Sequence, residues 1–118
     1  MGKDSITFGQ LLRKHRRAAK LSQEELAKKG GVDFTYVSKL ENDRVRPPSE
    51  ETIVRFCKAL KIDSDEFLFA AHRVPADIGS AMVSSKSALQ FLRTAETMQL
   101  SEGEWLKLSS ALKNLRDD

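Results

Sequence analysis

Residues Leu21 to Arg46, LSQEELAKKGGVDFTYVSKLENDRVR, leave few folds open to this chain. Two short apolar-periodic runs are separated by Gly30, Gly31, Val32 and Asp33, and a basic loop follows that ends on Pro47 and Pro48. Ser22, with Glu25 three residues on, is a capping box: each side chain satisfies an otherwise unpaired N–H at a helix start. Gly30-Gly31 ends that helix, because glycine enters the left-handed conformation without a Cβ clash. Val32 is expected to be the buried residue of the turn. Asp33 is an N-cap for the next helix. In it Val37 and Leu40, three apart, face a core, while Thr35, Ser38, Lys39 and Asn42 lie on other faces. The prolines cannot continue the helix. Two helices on a tight turn, with a basic loop behind them, form the shape that carries a helix into the major groove of duplex DNA.

The flanks are helical as well, and strand signals are nearly absent. A first helix is predicted from about Phe8 to Ala19, started by a Thr7/Gln10 capping box. Phe8, Leu11, Leu12 and His15 share one face, with Arg13, Lys14, Arg17 and Lys20 largely elsewhere. Ser49 caps a fourth helix in which Ile53, Phe56, Cys57 and Leu60 recur at i, i+3, i+4 and i+7, one buried stripe. Asp63 or Ser64 caps a short fifth helix carrying Phe67, Leu68 and Ala71. The expectation is an all-α fold, with a five-helix domain over residues 1–73 and a helical extension over 74–118, divided at Arg73-Val74-Pro75. In the extension a brief helix spans Ala76 to Met82, and Ser84, Ser85 and Ser87 around Lys86 read as a loop. Two helices follow, near Ala88–Met98 and Glu102–Arg116, the second with a Ser101/Glu104 capping box. The stripes Ala88, Phe91, Ala95, Met98 and Trp105, Leu108, Leu112, Leu115 suit a helical hairpin or a coiled-coil-like seam. This hairpin is read as a homodimer or partner-binding element, with capping of its own domain as the other option.

The net charge of +3 says little, but its distribution says more. Residues 1–46 hold eleven Lys or Arg against six Asp or Glu, and residues 74–118 hold five against six. The positive field is concentrated where a phosphate-binding surface requires it. Taken alone, a surplus on a solvated face is the plainer reading. Cys57 is the only cysteine, which excludes an intrachain disulfide and a Cys-rich zinc site and fits a reducing compartment such as the cytoplasm. As the default it is a buried structural thiol. His15 and His72 lie far apart without a ligand-spaced cluster, so no metal site is expected. With no Gly-rich phosphate loop and no catalytic signature, neither an enzyme nor a cofactor is expected. The chain has no signal-peptide run, and no window approaches the roughly 20 apolar residues that span a bilayer. It is read as soluble, unexported and without a membrane partner.

FGQLLRKHRRAAKLSQEELAKKGGV, then YVSKLEN, R-P-P-S and ETIVRFCKAL resemble the phage Cro and lambda-repressor type of helix-turn-helix, the XRE family, over about residues 6–70. The resemblance implies a five-helix bundle that binds double-stranded operator DNA as a dimer, most often as a transcriptional repressor. Some members are activators, restriction-modification controllers or antitoxins, so an antitoxin or adaptor using residues 74–118 to hold a protein partner is the alternative. By the same resemblance Gln23 touches a phosphate and braces a reading side chain. Phe34, Thr35, Ser38 and Lys39 occupy the exposed positions of the recognition helix, and Asn42, Arg44 and Arg46 fall in the phosphate-contacting loop. Arg16 and Glu41 form a structural ion pair. Lys39 suits guanine O6 and N7, and Thr35 a hydrogen bond or a thymine methyl. Phe34 fits either a thymine methyl or the core, Tyr36 either a phosphate contact or a ring packed over the second helix, and Lys39 the solvent if not a base. Asp43 stands where many relatives have Gly. A turn that is strained or differently shaped is expected there, although Asp tolerates left-handed geometry better than most residues, with a negative charge that weakens phosphate contact locally.

Overall fold

In the computed structural model, which describes residues 6–117, five of the eight described helices start on a side-chain cap supplied by the residue just before them. At α1 (Phe8–Ala18) the Thr7 hydroxyl accepts from the Gln10 N–H and the Gln10 side chain from the Thr7 N–H. Ser22 and Glu25 do the same for α2 (Gln23–Gly30). The Ser22 N–H and hydroxyl hold the Glu25 carboxyl below its ordinary range. Then come α3 (Phe34–Glu41), α4 (Glu50–Leu60) and α5 (Asp65–Ala70). Asp33 stands at the N-cap of α3 but makes no capping bond; its carboxylate accepts from the Thr35 hydroxyl instead. Ser64, at the start of α5, also lacks a side-chain cap bond.

The two glycines between α2 and α3 act differently. Gly31 is the left-handed residue, with φ 70°. Gly30 is still helical, and a Cβ there would meet the ring of the fully buried Phe56. Gly30 therefore sets the approach of α2 to α4, and the Arg55 guanidinium seals the joint by donating to the Gly30 carbonyl at 2.9 Å.

The chain divides into two compact units, one through Ala76 and one from Asp77. In the first, α1 packs on α3 and α5, and α2 on α3 and α4. Phe8, Leu11 and Leu12 meet Leu26, Val37, Leu40, Ile53, Phe56, Cys57, Phe67 and Leu68 in one core, with Val32 partly buried against it. Burying each such large side chain fully contributes about 1.5–3 kcal/mol. At eight residues α3 is too short to be stable alone, since isolated helices below ~12–15 residues are marginal. Its orientation is therefore imposed by Val37 and Leu40 in the core.

The second unit holds the rest of α6 (Ala76–Val83), with α7 (Lys86–Met98) and α8 (Glu102–Lys113). Ser85 caps α7, so Lys86 and Ser87 lie inside the helix rather than in the expected serine loop. The Ser101/Glu104 box starts α8, which ends three residues before the expected Arg116. Along the expected stripes Ala95 is buried, while Phe91, Met98, Trp105, Leu112 and Leu115 are exposed. Among the described residues all regular structure is helical, no helix is long and apolar enough to cross a membrane, and no cluster of metal-ligating side chains occurs.

Candidate nucleic-acid interface

The turn between α2 and α3 leaves one face of α3 to solvent and ties its far end to α1. Val37 and Leu40 are buried on the inner side. On the outer side Thr35 and Lys39 are exposed and Ser38 is half-buried. Phe34 is 44 % exposed and takes no part in the core cluster, whereas Tyr36 is packed partly against it. Arg44 and Arg46 are exposed on the following loop, which buried Pro48 anchors.

Behind this face sits Glu41, whose side chain is wholly buried. It accepts from Arg16 Nε at 2.5 Å and Arg16 Nη2 at 3.0 Å, from Gln23 Nε2 at 3.0 Å and from Arg13 Nε at 3.4 Å. Burial by itself would raise the Glu41 carboxyl. The hydrogen bonds from Arg16, Gln23 and Arg13 and the Arg16 charge outweigh burial and hold it below the ordinary range. Arg16 also donates to the Leu21 carbonyl at 2.9 Å. One carboxylate thus links α1, the start of α2 and the end of α3. Gln23, at the first position of α2, spends one amide N–H on the buried Glu41 rather than on a side chain of the outer face of α3, contrary to the sequence expectation that it braces a reading residue. Backbone N–H groups and the positive end of the helix dipole at the α2 N-terminus favour an anion.

Asn42 is engaged inside the chain, its Nδ2 donating to the Ser38 carbonyl at 2.9 Å and its Oδ1 accepting from Arg13 Nη2 at 3.1 Å. Asp43 does adopt the left-handed conformation, at φ 55°. Its charge is not loose beside the loop, contrary to the sequence expectation: Oδ2 accepts from the Thr7 hydroxyl at 2.7 Å and Oδ1 from the Gly9 N–H at 3.1 Å. The sequence marks Thr7 only as the α1 N-cap and Arg13 only as a residue off the apolar face, and it assigns neither of them, nor Gly9, to these contacts. Arg13 could have been assigned, because it lies one turn before Arg16 on the same helix flank; the contacts to Asp43 span more than thirty residues and carry no local signal.

The family described as Helix-turn-helix matches residues 12–67. An HTH-type transcriptional regulator of Bacillus subtilis (strain 168), RghRB, is 33 % identical over 93 residues, covering 76 % of this chain and 67 % of that protein. The HTH-type transcriptional repressor RghR of the same organism is 29 % identical over 94 residues, covering 80 % of this chain and 69 % of its own length. Among solved structures, the biofilm regulator SinR in complex with DNA is similar over 52 % of this chain and 98 % of its own, with TM-score 0.50 and 27 % identity. A SinR/SinI protein complex aligns over 95 % of this chain and 100 % of its own at TM-score 0.51, and its 20 % identity makes this a likeness of fold alone.

Proposed function

Because this chain belongs to the XRE-type helix-turn-helix family of DNA-binding transcriptional regulators, we propose that it is a repressor that binds a palindromic operator as a homodimer. The observation that carries the reading is the outer face of α3, open to solvent while the buried Glu41 network locks its inner end. In this reading α3 enters the major groove. Thr35, Ser38 and Lys39 face base edges, Phe34 presses on a thymine methyl, and Tyr36 borders the backbone with its hydroxyl. Gln23, Arg44 and Arg46 hold phosphates, which set register without reading sequence. Asn42 and Arg13 act on the loop together, through their mutual bond. A cytoplasmic location goes with DNA as the partner.

The uncovered apolar stripes of α7 and α8 support dimerisation through the second unit. A two-fold dimer would span half-sites about 34–36 Å apart. The same stripes favour a second reading, in which this unit holds a different protein. Size-exclusion chromatography with light scattering separates the two: a dimer mass for the isolated chain supports the first, a monomer the second.

Selection from a pool of random duplexes tests the function directly. A palindromic consensus is the expected result, and failure to enrich any sequence would refute it. On the recovered duplex Lys39→Ala should relax base preference at one position, by about 1–3 kcal/mol of discrimination. Arg44→Ala should weaken all sequences alike.

A further inference from the structure

The turn that follows α3 carries a carboxylate beside two arginines proposed as phosphate ligands, and that carboxylate is bonded to the start of α1. We propose that Asp43 is a positioning residue for DNA binding: its side chain clamps the Arg44–Arg46 loop to the first turn of α1. The inference rests on the reading of those arginines as phosphate ligands.

Two sets of bonds meet at Asp43. Its backbone closes α3, with the Asp43 N–H on the Leu40 carbonyl at 3.1 Å and the Arg44 N–H on the Lys39 carbonyl at 2.9 Å. Glycine is the residue best suited to that left-handed position, so backbone geometry gives no reason for an aspartate. The side chain does. It reaches across the sequence to Thr7 and Gly9, where it satisfies an N–H that α1 itself leaves unpaired. The positive end of the α1 dipole compensates its charge. Contact between the two elements is as close as backbone allows: a Cβ on Gly9 would lie 2.7 Å from Asp43 Oδ1 and 2.8 Å from the Glu41 carbonyl. The residue immediately before Arg44 is thereby fixed at two points, the end of α3 and the start of α1. With glycine at 43 the tie to α1 is lost, and the Arg44 end of the loop is held only by the end of α3 on one side and by Val45, packed against the core, and buried Pro48 on the other.

This role reverses the sign that charge alone would give. Removing a negative group near DNA should tighten binding if Asp43 acts only through its charge. If it positions the loop, Asp43→Gly weakens binding even though it relieves the backbone. The test is fluorescence anisotropy on the duplex recovered by selection with the wild-type chain, titrated over a range of salt concentrations, with circular dichroism melts alongside. D43G should bind about tenfold more weakly at ~0.1 M salt and lose about 0.9 from the slope of log K against log salt per protomer, the signature of one phosphate contact. D43N keeps an acceptor for the Gly9 N–H and should restore both readouts. Unchanged or tighter binding by D43G, or D43N as weak as D43G, would overturn the proposal. So would a D43G chain that fails to fold, since Asp43 would then serve the fold rather than the loop. Arg44→Ala is the control on the underlying reading: if it leaves the salt slope unchanged, the phosphate assignment fails, independently of Asp43.

Discussion

Replacing Glu41 with alanine should leave Arg16 stranded, and the structure gives the size of the effect. Of the three side chains that donate to Glu41, Arg13 is 37 % exposed and retains Asn42, and Gln23 is half-buried at a helix end, so water can resolvate both. Arg16 is only 11 % exposed and keeps just the Leu21 carbonyl. Breaking a buried pair by removing one partner typically costs about 3–5 kcal/mol. That is a large share of the ~5–15 kcal/mol that holds a domain together. Urea denaturation followed by circular dichroism should therefore show E41A with a strongly lowered midpoint. The double change Arg16→Met with Glu41→Leu removes both charges and should recover most of the loss, because an ion pair is seldom worth more than well-packed apolar groups. A loss under about 1 kcal/mol for E41A would place Arg16 in effective contact with water and refute the argument. So would a double variant no more stable than E41A. The pH dependence has a definite sign. Because the folded Glu41 carboxyl is held below its ordinary value, the unfolded chain binds the proton first as pH falls. The pair's contribution is complete above the ordinary glutamate range, near pH 4.3, and is lost as pH drops through the lower folded value. E41A should lack this component of acid denaturation.

Three other outcomes follow from the same structure. Gly30→Ala drives a methyl into the buried Phe56 ring and should cost about 1–3 kcal/mol by overpacking, read as a lowered urea midpoint; a neutral result would mean that α2 and α4 separate freely. Leu112 is 69 % exposed, so, on the proposal that the second unit dimerises, Leu112→Asp should leave the monomer's helicity intact while abolishing the dimer mass in light scattering. A dimer that survived it would remove the α8 stripe from the interface. Burial, with the Asp63 charge adding to it, pushes the Cys57 thiol up to about 11, so it should resist a disulfide reagent at pH 8 in the native chain and react on unfolding. Equal rates in both states would contradict its burial.

What the residues determined by themselves is what acts over one helical turn. The Thr7/Gln10, Ser22/Glu25 and Ser101/Glu104 boxes start helices because each side chain needs only a partner three residues away. Val37, Leu40, Ile53, Phe56, Cys57 and Leu60 lie in the core as their spacing requires. Of the serine loop expected at 84–87, Ser84 and Ser85 do lie between α6 and α7, while Lys86 and Ser87 are helical, because a capping serine and a loop serine are the same residue locally and only the Ala88 N–H bonding to Ser85 separates them. Tertiary structure decided the rest. That Gly30 is needed for Phe56 rather than for a left-handed turn, that Arg13 joins Arg16 on Glu41, and that Asp43 turns its charge onto α1 are facts of approach between distant segments. Periodicity tells which face of a helix is apolar, but not which carboxylate the packing brings against which N–H. Placement of α3 belongs to the same class: its eight residues carry the helical signal, and neighbouring helices supply the direction in which it points.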